Sequence, residues 1–227
     1  MTEELKKAAA LKAAEEIRSG MMLGLGTGST VYYLVQHLGE LAAAGLQIHA
    51  TATSRATEDL ARQNGVPLVD IEKVREIDLA IDGVDAIDPA YQAVKGGGGA
   101  LFREKVIATR AKRVIWIMDE RKLMPHLSHV PLPVETAPFG YHFTEKEIKD
   151  LGFIPELRTR DGEIFTTDNG NYILDLAGNA DMDYRIMAHK LKEITGILET
   201  GFFSPICEKI IVGTKNGVIV KTKERQR

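Results

Sequence analysis

Hydrophobic and polar positions along this chain follow one rhythm for about 125 residues and then another. In the first stretch, short apolar runs alternate with longer amphipathic ones. "MTEELKKAAALKAAEEIRSG" reads as an acid-rich amphipathic helix. Met21 to Leu25 is an apolar run, followed by "GTGST" and a helical stretch from about Ser29 to Leu41. Gln47 to Ala52 reads as a second strand, with "TSRATE" opening a helix after it. "VPLVDI" and "IDLAIDGVD" read as further strands, the latter ending in acids. Ala100 to Thr109 then reads as a helix and "RVIWIMD" as a buried strand. Strands alternating with helices imply a mainly parallel sheet covered on both faces.

The rhythm changes near "PLPVETAPFG". A strand near Pro131 to Glu135 is followed by a helix in which Thr144 and Glu147 form a candidate capping box. Ile154 to Arg158 and Ile164 to Thr167 flank "RDGE", a hairpin signal. Tyr172 to Leu176 continues the strand after an Asn169-Gly170 turn or bulge. Met182 to Ile194 has helical periodicity, and Ile197 to Phe202 closes the unit. The order β-α-β-β-α-β is ferredoxin-like. "KIIVGTKNGVIVK" reads as two strands around an Asn-Gly turn that return to the first domain. The expected class is α/β, in two parts. A Rossmann-like, mainly parallel sheet domain takes 1–130 plus 206–227, and a smaller ferredoxin-like α+β domain takes 131–205.

Composition narrows the function. The 227 residues are 44% hydrophobic and 27% charged, as suits one large or two modest globular domains. A formal net charge of -3 argues against a general nucleic-acid binder, while leaving room for a small anionic ligand. Cys207 is the only cysteine, so no internal disulfide forms and a reducing compartment is expected. The acidic N-terminus does not read as a signal peptide. No apolar run approaches the roughly 20 residues that cross a bilayer. The expectation is a cytoplasmic protein without membrane or nucleic-acid partners.

Chemistry gathers at the ends of the strands. Gly26 to Thr30, Thr53 and Ser54, Asp82 and Asp85, and Asp119 with Lys122 just beyond all follow candidate parallel strands. Ligands of open α/β sheets bind outside the carboxyl ends of the strands, so these groups are expected on one rim. "GLGTGST" can turn backbone N–H groups and a helix's positive end toward an anion, although an ordinary turn with a helix cap explains the same loop. The dinucleotide pattern G-x-G-x-x-G fails at Ser29, and the second strand lacks a ribose-binding acid at its end. No Gly-Lys-Ser/Thr completes a Walker loop. A single phosphate on a small molecule fits better. The six histidines are scattered, and His126 and His129 belong to no metal-ligand pattern, so the site reads as metal-free.

"AVKGGGGALFREK", residues 93–105, holds four consecutive glycines. Each costs roughly 0.5–1 kcal/mol relative to alanine in regular structure. A backbone without side chains can bring N–H donors to a developing oxyanion, beside the ammonium of Lys95. Glu104 near the start of the next helix is a candidate base, and equally a partner of the helix dipole. Asp82 and Asp85 of "DGVD" can orient hydroxyls, or serve only as turn formers. A base, a cation, a donor-rich loop and a phosphate cradle are the parts needed to enolise a sugar phosphate.

With "GLGTGST", "DGVD", "KGGGGAL", "REK" and the later "TDNGN" in this order and spacing, the chain resembles ribose-5-phosphate isomerase of type A over essentially its whole length. The resemblance implies interconversion of ribose 5-phosphate and ribulose 5-phosphate in the non-oxidative pentose phosphate pathway, without metal or other cofactor, by a homodimer or homotetramer. Matched motif by motif, it implies that Thr27, Gly28, Ser29 and Thr30 hold the substrate through the phosphate loop. Asp82, Gly83, Val84 and Asp85 contact sugar hydroxyls and help open the ring. Lys95, Gly96, Gly97 and Gly98 line the reacting end, with Lys95 stabilising the enediolate. Glu104 moves a proton between C1 and C2, and Lys122 and Lys6 bind substrate. Ala86 stands where the family commonly has glutamate, and Ala86→Glu is expected to change turnover little, provided folding is intact. Two rivals share parts of this pattern. An amino-sugar phosphate deaminase lacks the insert and the "KGGGGAL…REK" pairing. A non-catalytic sugar-phosphate sensor calls for a DNA-binding module that this sequence does not show.

Overall fold

In the computed structural model, residues 2–177 and 182–223 are described. They form two compact units. The first takes the chain up to Val84, Arg103–Lys122 and the chain from Ile206 onward; the second takes Asp85–Phe102 and Leu123–Pro205. The expected boundary lay at 130/131, whereas the described chain groups 85–102 and 123–130 with the second unit.

The first unit is built on a six-stranded sheet. Its order is Gly217–Thr222, Lys209–Thr214, Ala111–Asp119, Ile77–Gly83, Met22–Leu25, His49–Ala52. Every pairing is parallel except that of the first two, the terminal hairpin. From Val114 to Asp119 every residue of the central strand Ala111–Asp119 is buried, as in a strand covered on both faces. Leu23, Leu25, Leu79, Ile81, Ile115, Ile117 and Ile211 of the sheet join Leu34, Val35 and Leu38 of the helix Ser29–Ala43 in one apolar cluster. The helix Thr2–Ala14 adds Ala9, Ala10, Ala13 and Ala14, whose small side chains let it lie close.

The chain leaves Met22–Leu25 for the strand on one side of it and returns to Ile77–Gly83 on the other. That reversal opens a crevice beyond the carboxyl ends of these two strands, the usual ligand position in such sheets. The expected strand at "VPLVDI" is absent. Leu68 makes a single parallel bridge to Ala50, and the chain turns into a short 3-10 helix at Ile71–Lys73. With one bridge, and residues beyond it partly exposed, there is too little pairing and burial for an edge strand.

The second unit holds a four-stranded antiparallel sheet in the order Ile197–Thr200, Leu132–Thr136, Tyr172–Ala177, Ile154–Leu157. With the helices Tyr141–Asp150 and Tyr184–Leu191 it gives the expected β-α-β-β-α-β order. Leu132, Val134, Leu174 and Leu176 meet Ile148, Ala188 and Leu191 in its core. A smaller antiparallel sheet joins Ala86–Ile87, Ala93–Val94 and Phe202–Phe203.

Local expectations fail here where tertiary contacts intervene. Thr144 caps nothing: the helix starts after Gly140, and the buried Thr144 hydroxyl donates to the Thr195 carbonyl, 3.2 Å away. The hairpin at "RDGE" exists but pairs only Thr159–Arg160 with Glu163–Ile164, around Asp161 and Gly162 at positive φ. The partner of Ile154–Leu157 is Tyr172–Ala177 instead. Between them, "TDNGN" folds around a buried carboxylate. Glu135 Oε1 accepts from Thr167 Oγ1 at 2.9 Å, Asn169 Nδ2 at 3.0 Å and Asn171 Nδ2 at 2.9 Å. Three donors on one buried oxygen hold the turn expected at Asn169-Gly170, and they keep Thr167 out of the strand expected to reach it.

Candidate functional site

The first unit brings the phosphate-loop candidates to the crevice described above. Gly26 N–H still donates to Ile81 O, and Thr53 N–H to Leu25 O, so the loop leaves the sheet at a defined point. Thr27 N–H then donates to Asp82 Oδ1 at 3.0 Å, and Gly83 N–H to the same oxygen at 2.6 Å. Asp82 thereby ties the loop after one strand to the end of the next. A Cβ on Gly26 would lie 1.8 Å from Asp82 Oδ1, so only glycine fits beside that carboxylate.

Three hydroxyls brace the loop from the other side. Thr27 Oγ1 lies 2.7 Å from Thr53 Oγ1, 2.8 Å from Ser54 Oγ and 3.3 Å from Thr57 Oγ1. Thr57 Oγ1 donates to Gly26 O at 2.9 Å. Ser54 caps the helix Arg55–Gln63 by accepting from Thr57 N–H at 3.1 Å. Thr53 and Ser54 were expected on this rim; Thr57 was not singled out, although Ser54-x-x-Thr57 is a cap spacing. Beyond the loop, Gly28 is the N-cap of the helix Ser29–Ala43 and makes no side-chain cap bond. Gly28 and Ser29 are exposed and Thr30 is buried.

Three ionisable candidates are almost wholly buried: Lys95 is 2%, Asp82 3% and Glu104 4% exposed. Burial of charge is costly unless the group is paired or used. Glu104 is the fourth residue of the helix Leu101–Arg110, in its first turn. Lys95 belongs to the second unit. Its N–H donates to Gly201 O at 2.9 Å, and its ammonium sits 5.5 Å from the Phe203 ring centroid.

The glycine loop after Lys95 is shaped by its neighbours. Gly96 and Gly99 have φ of +108° and +86°, which side chains disfavour. A Cβ on Gly99 would lie 2.4 Å from Phe165 Cζ, and one on Gly97 2.8 Å from Asp85 Oδ1. The expectation that this backbone offers its donors outward needs correction in part. Gly97 N–H donates to Asp85 Oδ2 at 2.7 Å and Gly99 N–H to Gly96 O at 2.9 Å. Asp85 therefore organises this loop with at least one of its oxygens.

The remaining candidates are less concentrated. Lys122 ends the short helix Glu120–Lys122 after the strand Ala111–Asp119. Burial pushes the Asp119 carboxyl up, but hydrogen bonds from the Arg121 side chain and backbone outweigh it and hold the group below its ordinary value. Lys6 donates to Glu3 at 2.7 Å, and Tyr33 holds the other oxygen of Glu3. Val84 is buried. Cys207 is no nucleophile: it is buried, and burial pushes its thiol up to about 12. No cluster of three metal-ligating side chains occurs among the described residues.

The sequence model of ribose 5-phosphate isomerase A (phosphoriboisomerase A) matches residues 49–217. The chain belongs to this family. Ribose-5-phosphate isomerase A of Bacillus mycoides is 47% identical over 94% of this chain and 97% of its own length. The Listeria monocytogenes protein of the same name is 44% identical over 96% and 98%. A solved D-ribose-5-phosphate isomerase in complex with phospho-erythronic acid superposes with a TM-score of 0.94 at 36% identity, over 98% of this chain and 100% of that one. Ribose 5-phosphate isomerase from Plasmodium falciparum gives 0.93 at 36% identity, over 98% and 99%.

Ala86 stands where the resemblance led to the expectation of a glutamate. It is wholly buried in the apolar cluster of the second unit, with Val94, Leu132 and Phe202. A glutamate there would bring a carboxylate into apolar surroundings, so Ala86→Glu is expected to lower stability; the expectation of little change in turnover applies to the variant that folds.

Proposed function

We propose that this chain interconverts ribose 5-phosphate and ribulose 5-phosphate through an enediolate, with Glu104 as the base. The observation that carries the reading is the near-complete match to proteins named ribose-5-phosphate isomerase A, one of them solved with phospho-erythronic acid. In that acid a planar carboxylate can mimic the planar end of an enediolate. The burial of Glu104, Lys95 and Asp82 supports the assignment of roles.

With the sugar open, Glu104 takes the proton from C2. The carbonyl oxygen at C1 gains negative charge, and the Lys95 ammonium stabilises it. The proton returns to C1, while the hydroxyl proton of O2 passes to O1, leaving a ketone at C2. Atoms and electrons balance within the sugar, so the reaction requires no external oxidant or reductant. Thr27 to Thr30 hold the phosphate, Lys122 and Lys6 add positive charge, and Asp82 to Asp85 orient hydroxyls. Lys95 to Gly98 line the reacting end.

The protein is proposed to work in the cytoplasm as a homodimer or homotetramer, without nucleic-acid partners. No helix among the described residues is long and apolar enough to cross a membrane. The deciding experiment is a coupled assay of ribose 5-phosphate isomerisation with purified protein after exhaustive chelation. Turnover is expected; absence of turnover in folded protein overturns the reading, and recovery only with a divalent metal overturns its metal-free chemistry.

A further inference from the structure

We infer that Arg158 is a positioning residue that sets the shape of the glycine loop. Its guanidinium reaches from the end of the strand Ile154–Leu157 to two loop carbonyls, with Nη1 2.7 Å from Gly96 O and 3.3 Å from Gly97 O. The other edge of the guanidinium is fixed by Asp175. Nε donates to Asp175 Oδ2 at 2.8 Å, and Nη2 to Asp175 Oδ1. This planar fork leaves Arg158 little freedom to turn, and a lysine cannot reproduce it. The Arg158 side chain is 13% exposed, so its bonds meet little competition from water.

A second contact from the same segment closes on the loop. The Phe165 ring occupies the space that a side chain on Gly99 would need, and the guanidinium of Arg160 lies 4.5 Å from that ring's centroid. Two carbonyls turned toward Arg158 fix the planes of the peptides that follow Gly96 and Gly97. The Gly97 N–H is thereby aimed at Asp85 and the backbone beside Lys95 is held. Nothing in the sequence joins Arg158 to residues 95–99; the strand pairing of Asp175 and the turn at "RDGE" bring it there.

The inference rests on the proposed isomerase reading for its effect on turnover, but not for its effect on the loop. A group that shapes the site acts on the transition state more than on ground-state binding, so its loss falls on kcat rather than KM. Arg158→Ala is expected to lower kcat by about ten- to hundred-fold, the scale of a misplaced reacting group. KM is expected to move by less than about threefold, marking loss of transition-state rather than uniform binding. Guanidinium ion at millimolar concentration is expected to restore part of kcat in Arg158→Ala and none in Glu104→Gln. Arg158→Lys, which keeps the stem and charge, is expected to lose kcat in the same sense, and it decides the matter if the alanine variant does not fold. Hydrogen exchange of the Gly97 and Gly99 amides, expected to quicken in both Arg158 variants, tests the clamp even if the wild-type chain does not isomerise ribose 5-phosphate. Unchanged exchange overturns the inference. So does an active wild type whose folded Arg158 variants stay within about twofold in kcat, or lose only in KM.

Discussion

Two glycine-bearing loops carry the candidate chemistry, and they are held in different ways. The loop at Gly26 to Thr30 leaves a parallel strand and is secured by the rim around it. Asp82 comes from the neighbouring strand on one side, and Thr53, Ser54 and Thr57 follow the neighbouring strand on the other. The loop at Lys95 to Gly99 leaves only the two-residue strand Ala93–Val94 of the smaller sheet, with Lys95 N–H still donating to Gly201 O. It is secured by side chains from distant parts of its own unit: Asp85, Arg158 and Phe165. A loop of the first kind inherits its geometry from sheet topology. A loop of the second kind depends on individual side chains and is correspondingly sensitive to single substitutions far away in sequence.

The largest effect is expected where neither loop can compensate. Glu104→Gln keeps size and hydrogen-bonding capacity but removes the basic carboxylate. Turnover is expected to fall by ~10²–10⁴-fold or more, with substrate affinity largely kept. Steady-state kinetics and a separate binding measurement check this. Near-native kcat would rule Glu104 out as the base.

Alanine in each loop tests the comparison directly. Gly99→Ala places a Cβ against Phe165 at positive φ, a conformation that alone costs about 1–2 kcal/mol. Adding Phe165→Ala is expected to recover the steric part of the loss and not the conformational part. Gly26→Ala meets Asp82, whose Oδ1 accepts two backbone donors. No trimming relieves that clash without losing those bonds. Thermal unfolding and kcat of the single and double variants are the measurement. Equal recovery of Gly26→Ala by trimming Asp82 would erase the distinction.

A smaller change is expected from Thr57→Val. It conserves shape but removes the donor to Gly26 O. An unsatisfied buried group costs about 1–3 kcal/mol, and KM is expected to rise as the loop loosens. If KM rises no more than in a hydroxyl deletion remote from the rim, the brace is merely structural.

The smallest effect is expected away from both loops. Lys209 and then Arg113 hydrogen-bond the Glu16 carboxylate and hold it below its ordinary value. Its folded value is thus lower than its unfolded one. The contribution is present above the ordinary carboxylate range and lost as pH falls through the folded value. Glu16→Gln is expected to flatten the fall of Tm across that acidic window, leaving kcat at neutral pH unchanged. An unaltered acid profile would mean that the exposed edges of this cluster are screened by water.

The sequence alone determined the fold class and the list of chemical groups. Period-2 and helical patterns locate most strands and helices, because burial on a sheet face or a helix stripe leaves a local trace. "GTGST" and "KGGGG" are visible because a backbone approached closely, or bent to positive φ, excludes side chains, and "DGVD" is visible by its acids at a strand end. Local signals erred where a distant partner outweighed them: Thr144 serves a loop carbonyl instead of a cap, and Thr167 binds Glu135 instead of ending a strand. Only the tertiary structure decided what holds each loop. Arg158 and Thr57 look like any arginine or threonine in the chain, since a hydrogen bond between residues 62 positions apart leaves no pattern at either end. Hydrophobic burial is written residue by residue along the chain, whereas directional bonds exist only once folding has brought donor and acceptor together.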